Sequence, residues 1–300
     1  MTVKTLSKKT NHTMRREQYI TYMVMTFPGF VLYCVFLILP ILMGIYYSLT
    51  DWTGIGTQFN FVGLDNYAKV LTNDRRFGQA MMFNLQYTVL LVIGIVVIGF
   101  ILAMLLNREI RGRGFFRTLY FLPAVLSMVT VGLVFKQVYF YVLPPIGQTL
   151  GISALATNVI SKKETAIYGV LFVHLWQGLA MPTLLFLAGL QTIPQDLHEA
   201  AAIDGANAWQ RFKAVTVPYM MPTLSVVLVL TVKTGLGVYD YINVMTSGSY
   251  NTTSIAYLIY QNAFERNRFS YSIAQAVIVG LLIAAISVVQ IRLTNAKKVE

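Results

Sequence analysis

A polar stretch between two long apolar ones, residues 195–217, holds the residues whose spacing is most suggestive of a specific role. Pro194 suits a first helical turn, residues 195–203 contain helix formers, and Gly205 can adopt the left-handed conformation that ends a helix. Small side chains give this helix a thin surface, which can enter a groove on a partner protein where bulkier side chains would clash. They are Ala200, Ala201, Ala202, Ala206 and Ala208. The pattern predicts a docking element or, alternatively, a surface hairpin that caps a helix bundle.

Charged residues accompany the alanines of this hairpin. Glu199 and Asp204 can cap a helix or pair with a partner protein, and Arg211 can meet acidic groups or lipid headgroups nearby. Asn207 is a suitable cap for a second helical segment, which Pro218 is expected to close. The sequence therefore predicts two short helices joined by a turn.

Residues that catalyse reactions are few and do not converge in this sequence. Cys34 is the only cysteine, which excludes an intrachain disulfide, a CxxC pair and a cysteine-histidine zinc cluster. The nucleophile-elbow, zinc-protease and P-loop motifs are absent. His174 lies in an apolar stretch without metal-binding partners nearby, which indicates a packed, hydrogen-bonded histidine. We therefore expect no enzymatic activity and no cofactor or metal in this chain.

Polar and aromatic residues inside or beside the apolar stretches suggest contact with a solute. A lysine at the centre of a membrane helix costs about 2.5–3.5 kcal/mol on insertion scales, so Lys233 is expected to face a cavity or pair with Asp240. Alternatively, Lys233 reaches the lipid headgroups. Hydrogen-bonding groups and flat rings occur elsewhere inside or beside these stretches. They are Trp176, Gln177, Tyr239, Asn243, Tyr87 and Asn84. For Trp176 and the tyrosines, anchoring at the membrane interface is the alternative.

The elements that position these residues are expected to be membrane helices. The chain of 300 residues is 56% hydrophobic and 12% charged, whereas soluble domains carry roughly 25% charged residues. A helix needs about 20 apolar residues to cross a bilayer core of about 30 Å. Suitable stretches lie at 24–49, 82–106, 116–137, 166–190, 219–239 and 273–292. The sequence predicts one all-α membrane domain over residues 1–300, with six spans and the hairpin between spans 4 and 5.

Basic residues determine the expected orientation. Six spans place both termini on one side, and Lys and Arg are twice as frequent on that side, which also carries the hairpin. The positive-inside rule makes it cytoplasmic, so residues 1–23, expected to be retained, and residues 293–300 are predicted cytoplasmic tails. Residues 138–164, which contain Pro144 and Pro145, are expected to form an external loop. The net charge of +11 lies in short clusters between apolar runs, which argues against a nucleic-acid partner.

The hairpin resembles the signature of permease subunits in binding-protein-dependent ABC importers, an EAA segment followed by a glycine and later a proline. The matching residues are Glu199, Ala200, Ala201, Asp204, Gly205, Ala206 and Pro218. In that family the segment is a coupling helix, which docks into a cleft on the ATP-binding subunit and transmits its closure to the membrane bundle. The resemblance implies that these residues, with Arg211 nearby, couple the chain to an ATPase.

Further segments resemble the carbohydrate branch of these permeases, of the maltose and oligosaccharide type. They are residues 61–67, 116–118 with Pro123, 187–191, and 239–246 with 251–253. Residues 247–250 depart from the pattern, since Ser-Gly-Ser-Tyr stands where the family usually has two glycines and a proline. The resemblance implies a sugar as cargo, with Trp176, Gln177, Lys233, Tyr239, Asp240 and Asn243 as candidate contacts along its path.

The resemblance also implies partners and a location. We expect a second related permease, two copies of a cytoplasmic ATP-binding subunit that hold ATP and Mg, an extracytoplasmic sugar-binding protein, carbohydrate and membrane lipid. The expected location is the bacterial inner membrane. A non-sugar cargo such as glycerol phosphate, a polyamine or an inorganic anion is the alternative. An anionic cargo would favour several cations in the spans and a polyamine several carboxylates, and the single Lys233 supports neither. A membrane-embedded enzyme and a signalling scaffold are the rivals from other classes.

Overall fold

The computed structural model describes residues 19, 21–108 and 112–296. These residues form helices joined by loops, and the one β-type pairing among them is an isolated bridge between Thr50 and Phe61. The predicted basic tails lie outside the described residues, apart from a few positions next to the first and last helices. The prediction of an all-α fold is confirmed.

The helices of the described residues include candidate membrane spans. In chain order the helices are α1 (Thr21–Ser48), α2 (Asp65–Thr72), α3 (Arg75–Asn107), α4 (Arg113–Val125), α5 (Met128–Thr149), α6 (Ala166–Gly178), α7 (Ala180–Gln191), α8 (Gln195–Ile203), α9 (Ala208–Leu236), α10 (Ile255–Tyr260) and α11 (Phe269–Ala296). Helices α1, α3, α5, α9 and α11 are each long and apolar enough to cross a membrane. Helices α6 and α7, bent by 48°, pass that test together. The described residues therefore contain five candidate spans, or six, the number predicted, when the bent pair is counted as one span.

The third span starts later than predicted. The chain breaks after Val125, because Leu126 and Ser127 adopt extended backbone angles that separate α4 from α5. Pro123 lies in the last turn of α4 and has no N–H to donate there, which weakens the helix just before the break. The predicted span 116–137 is therefore two helices, and α5 is the one long enough to cross the membrane.

The sequence predicts breaks at prolines in two helices that are continuous in the structure. In the structure a π-helical turn, which is wider than an α-helical one, ends two residues before each of three prolines. These turns are Cys34–Ile38 before Pro40, Val138–Val142 before Pro144, and Phe212–Thr216 before Pro218. The wider turn relieves the clash between the proline ring and the carbonyl four residues earlier. The predictions of a loop over residues 138–149 and of a helix end at Pro218 are therefore wrong.

The centre of the bundle is α3, which packs on α7 and α9. Tyr87, Leu91 and Ile95 follow one another at intervals of four residues along one face of α3, and all are at most 2% exposed. A glycine allows close approach to α6, because a Cβ at Gly94 would lie 2.6 Å from Leu175. Close packing on several sides keeps α3 central.

Asn84 on α3 ties two other elements together. Its Nδ2 donates to Gly235 O over 3.3 Å and to Leu236 O over 2.7 Å, both at the end of α9. Its Oδ1 accepts from Ile255 N over 2.8 Å, at the start of α10. Asn84 is fully buried, so this side chain is not open to a solute and acts as a structural clamp.

We expect Asn84→Leu to lower the free energy of unfolding by about 3 kcal/mol, because two buried carbonyls and one buried N–H lose their partners. Thermal unfolding of the purified protein in lipid nanodiscs measures this loss as a lower melting temperature. Gln58→Leu, at an exposed position, is the matched control and should leave the melting temperature unchanged. Equal melting temperatures for Asn84→Leu and the parent protein would contradict the role of the clamp.

Candidate functional site

The residues of the predicted docking element form a tight hairpin. Helix α8 ends at Ile203, as predicted, and Gly205 follows with a φ of +80°. Ala206 N donates to Ala201 O over 3.0 Å, and Gly205 N donates to Ala202 O over 3.1 Å. This pair of hydrogen bonds is typical of a helix that ends on a left-handed glycine. The prediction for Gly205 is confirmed.

A capping box begins the second arm of the hairpin. Gln210 N donates to Asn207 Oδ1 over 2.9 Å, and Asn207 N donates to Gln210 Oε1 over 2.8 Å. The predicted cap at Asn207 is confirmed, and the spacing of Asn and Gln was a signal for the reciprocal bond as well. The second arm is the start of α9 itself, so the hairpin is directly connected to a membrane span.

Helix α8 presents one side to its surroundings. Glu199, Ala200 and Ile203 are exposed, and Ile203 is 86% exposed. Leu197 and Ala201 lie on the opposite side and are half-buried. The predicted alanine surface is therefore divided between two sides, with Ala200 outward and Ala201 inward. The outward side combines a carboxylate, a small residue and an apolar side chain, which suits a protein partner.

Aromatic rings connect the hairpin to the centre of the bundle. Trp209 is 69% exposed and stacks on Phe212 with ring centroids 5.4 Å apart. Phe212 in turn lies 6.0 Å from Phe100 on α3. The hairpin therefore contacts α3 as well as continuing into α9. Asp204 is exposed, whereas Arg211 is half-buried and its Nε has no hydrogen-bond partner in the part of the chain that the structure describes.

Gln177, a predicted solute contact, is instead part of a buried polar network. Its Nε2 donates to Leu126 O over 2.7 Å, at the break between α4 and α5. Its Oε1 accepts from Tyr241 Oη over 2.7 Å. With 5% of its surface exposed, Gln177 has little room for a solute in this structure. Its neighbour Trp176 is 40% exposed and packs on Phe135 at 5.3 Å.

The same network includes His174 and Tyr87. Tyr87 Oη lies 2.9 Å from His174 Nδ1, and the His174 ring lies 4.8 Å from that of Tyr241. The interpretation of His174 as a packed, hydrogen-bonded histidine is confirmed. Tyr87 is fully buried and serves as its partner. Sequence reasoning missed Tyr241, because its contacts come from helices distant in the chain.

Tyr239, Asp240 and Asn243 lie together after the end of α9. Tyr239 packs on Tyr260 with ring centroids 5.5 Å apart, and all three residues are half-buried. The bond from Tyr241 to Gln177 brings this segment next to α6, which carries Trp176 and Gln177.

Apart from Lys213 in the hairpin arm of α9, two lysines lie within the described spans. Lys233 is exposed on the side of α9 that carries Leu230, and among the described residues it forms no ion pair with Asp240. The predicted pairing of the two is therefore wrong. Lys136 on α5 donates to Val244 O over 3.1 Å, in the π-helical turn Ile242–Thr246. Sequence reasoning did not select Lys136, although the argument applied to Lys233 would have found it.

The segment that departs from the family pattern has an unusual backbone. Ser247, Tyr250 and Asn251 have φ angles of 49°, 57° and 60°, in the left-handed region that glycine favours. Side-chain bonds hold the loop, since Thr253 Oγ1 donates to Gly248 O over 2.7 Å. Serine, tyrosine and asparagine thus adopt a conformation that glycine adopts more readily.

Comparisons with known proteins agree with this geometry. Residues 94–297 match the family described as binding-protein-dependent transport system inner membrane component. The multiple sugar-binding transport system permease protein MsmF of Streptococcus mutans is 45% identical over 88% of this chain and 92% of its own. The probable starch degradation products transport system permease protein AmyD of Thermoanaerobacterium thermosulfurigenes is 35% identical over 94% of this chain and 96% of its own.

A solved structure shows the same fold. It belongs to a bacterial ABC transporter involved in the import of the acidic polysaccharide alginate, and it superposes with a TM-score of 0.79. The match covers 96% of this chain and 99% of that chain at 19% sequence identity. The chain therefore belongs to the family of binding-protein-dependent transport system inner membrane components.

Proposed function

We propose that this chain is the permease subunit of an ATP-driven sugar importer and forms half of its translocation pathway. The observation that carries the proposal is the exposed hairpin at α8, which continues without a break into the span α9. A connection of this kind can convert the movement of a soluble motor into the movement of a membrane helix.

The hairpin is proposed to dock on a separate ATP-binding subunit, which holds ATP and Mg. Glu199, Ala200, Asp204 and Gly205 supply the shape and charge of its outer surface, and Ile203 supplies an apolar contact. When ATP closes the motor, the hairpin moves with it, and α9 and α3 tilt because Phe212 connects them. Alternating access then follows from a rigid-body movement of packed helices.

The names of three relatives support sugar as the cargo. MsmF is named for the transport of multiple sugars, AmyD for starch degradation products, and MalF of Thermococcus litoralis for trehalose and maltose. Lys233, Tyr239, Asp240, Asn243 and Trp176 remain the proposed contacts in the pathway.

The proposed orientation places the hairpin and both chain ends in the cytoplasm of a bacterial cell. A second related permease completes the pathway, two ATP-binding subunits drive it, and an extracytoplasmic sugar-binding protein delivers the cargo. One neighbouring structure of the alginate transporter is described as a complex with a periplasmic protein that carries an alginate pentasaccharide, which supports a partner of this kind.

Cysteine labelling and uptake test these proposals together. In a Cys34→Ser background, Ala202→Cys on the hairpin should react with a membrane-impermeant maleimide only from the cytoplasmic side, and Gln58→Cys only from outside. Proteoliposomes with the full importer should accumulate at least one of maltotriose, raffinose, trehalose and arabinotriose when ATP is supplied to the hairpin side. Labelling of Ala202→Cys from outside, or uptake of none of the four sugars, would overturn the proposed function.

A further inference from the structure

A cleft of about 570 Å³ opens at the end of the bundle that lies away from the hairpin. The contact between Phe100 and Phe212 places the C-terminal half of α3 beside the hairpin, so Arg75 at the start of α3 lies at the other end. We call this site the outer cleft. Its polar and aromatic lining comprises Gln79, Gln86, Tyr168, Asn251, Thr253 and Gln261.

Three amide side chains in the outer cleft have no protein partner. Gln79, Gln86 and Asn251 are exposed, and among the described residues none of their side chains forms a hydrogen bond. Each amide has donors and acceptors to offer. Because they lie on α3 and on the loop after α9, they approach the cleft from two sides. This arrangement suits a ligand rich in hydroxyl groups.

Gln86 extends the polar lining below the surface of the membrane. It lies three turns into α3, about 16 Å along the helix from Arg75. A polar amide at that depth is unfavourable against lipid and acceptable against a water-filled cleft. The outer cleft therefore extends along α3 from the end of the bundle to Gln86.

The floor and one wall of the outer cleft are apolar. Phe83, Ile167 and Leu258 line it and are at most 8% exposed. Tyr168 is 54% exposed, and no other ring among the described residues packs on it. A flat aromatic ring beside amide groups matches a sugar ring, which has apolar faces and a polar edge. The volume falls within the range of about 300–1,000 Å³ found for small-molecule sites.

Strained backbone holds Asn251 at the rim of the outer cleft. Tyr250 and Asn251 have φ angles of 57° and 60°, a conformation that persists where surrounding contacts enforce it. Thr252 is fully buried and donates to Ser249 O over 2.6 Å, which provides such a contact. The backbone that carries the asparagine amide is thus held at the rim of the outer cleft.

The rim of the outer cleft carries charges of both signs. Arg76 and Lys163 are balanced in part by the carboxylate of Glu164, and all three are exposed. We propose that the outer cleft is a binding site for a neutral oligosaccharide unit, which it receives before the sugar enters the pathway. This inference rests on the proposed function as a sugar importer and adds an entry site to it.

The test measures protection of a cysteine by sugar in the full importer in nanodiscs. In the Cys34→Ser background, Gln86→Cys reports the outer cleft and Gln58→Cys is the control, because Gln58 is exposed on a loop and does not line the cleft. The probe is whichever of maltotriose, raffinose, trehalose and arabinotriose the importer takes up. We expect that sugar to slow modification of Gln86→Cys by about tenfold at saturation, which corresponds to about 90% occupancy, and to leave Gln58→Cys unchanged.

The outcomes separate this inference from the proposed function. If a sugar is taken up but does not slow modification of Gln86→Cys, the entry site is disproved and the importer remains. If the sugar-free binding protein slows modification and the sugar alone does not, the cleft receives a protein loop and the proposal is wrong. The double variant Gln79→Ala/Gln86→Ala provides a second test. We expect it to lower kcat/KM of uptake about tenfold, because one or two hydrogen bonds to the sugar are lost. Unchanged kcat/KM would also overturn the proposal.

Discussion

Replacing Gly205 by valine is expected to reduce ATP-driven uptake to background while the protein still inserts and folds. Gly205 has a φ of +80°, where a β-branched residue is strained by about 1–3 kcal/mol. No atom lies within 4 Å of the position that a Cβ would occupy, so the effect arises from the backbone and not from a clash. The turn would reopen and move α8 away from the geometry in which Ala206 N reaches Ala201 O.

Asparagine at the same position is the matched control. Asn tolerates the left-handed region better than any other residue with a side chain of this size, so Gly205→Asn should retain most of the uptake. The activity of both variants is measured as uptake of radiolabelled sugar by proteoliposomes. In Gly205→Val, the ATP hydrolysis that the sugar-loaded binding protein stimulates should fall together with uptake. Normal uptake by Gly205→Val would show that the shape of this turn has no part in coupling.

Replacing Ile203 by aspartate is expected to release the ATP-binding subunits from the complex. Ile203 is 86% exposed in this chain, at the C-terminal end of the outward side of α8. An apolar anchor that becomes buried in an interface commonly contributes more than about 2 kcal/mol, and a carboxylate in its place would have to be desolvated. The loss should exceed about 30-fold in affinity, since each 1.4 kcal/mol corresponds to a factor of ten.

Ile55→Asp provides a control with the same residue type and a similar exposed fraction, 70%, in a loop between α1 and α2. Co-purification of the ATP-binding subunit with each variant, from membranes that express the whole importer, measures the effect. We expect the subunit to be lost with Ile203→Asp and kept with Ile55→Asp. Retention with both variants would remove Ile203 from the proposed interface.

Much of the hairpin was predictable because its geometry is local. A helix that ends on Gly205 and a new helix capped by Asn207 depend on residues within a few positions of each other. Such hydrogen bonds form in the same way whatever the rest of the chain does. The exposure of Ile203 was not predictable, because its sequence neighbourhood does not reveal which side of α8 faces the bundle.

The prolines show where local reasoning failed. Pro144 and Pro218 were predicted to interrupt or end a helix. In the structure a π-helical turn precedes each proline, and the helix continues beyond it. Nothing in the residues next to a proline distinguishes these two outcomes. Packing of the whole span does, since a continuous apolar helix satisfies its backbone within the membrane whereas a broken one does not.

The sequence by itself determined the number of membrane spans and the hairpin between spans 4 and 5, because span length follows from the bilayer and helix caps follow from neighbouring residues. Only the tertiary structure decided which polar residues are available to a solute. It buried Asn84 and Gln177 as structural partners of other helices, and left Gln79 and Gln86 facing a cleft. The physical reason is that hydrogen-bond partners in a membrane bundle come from distant helices, so availability depends on their packing.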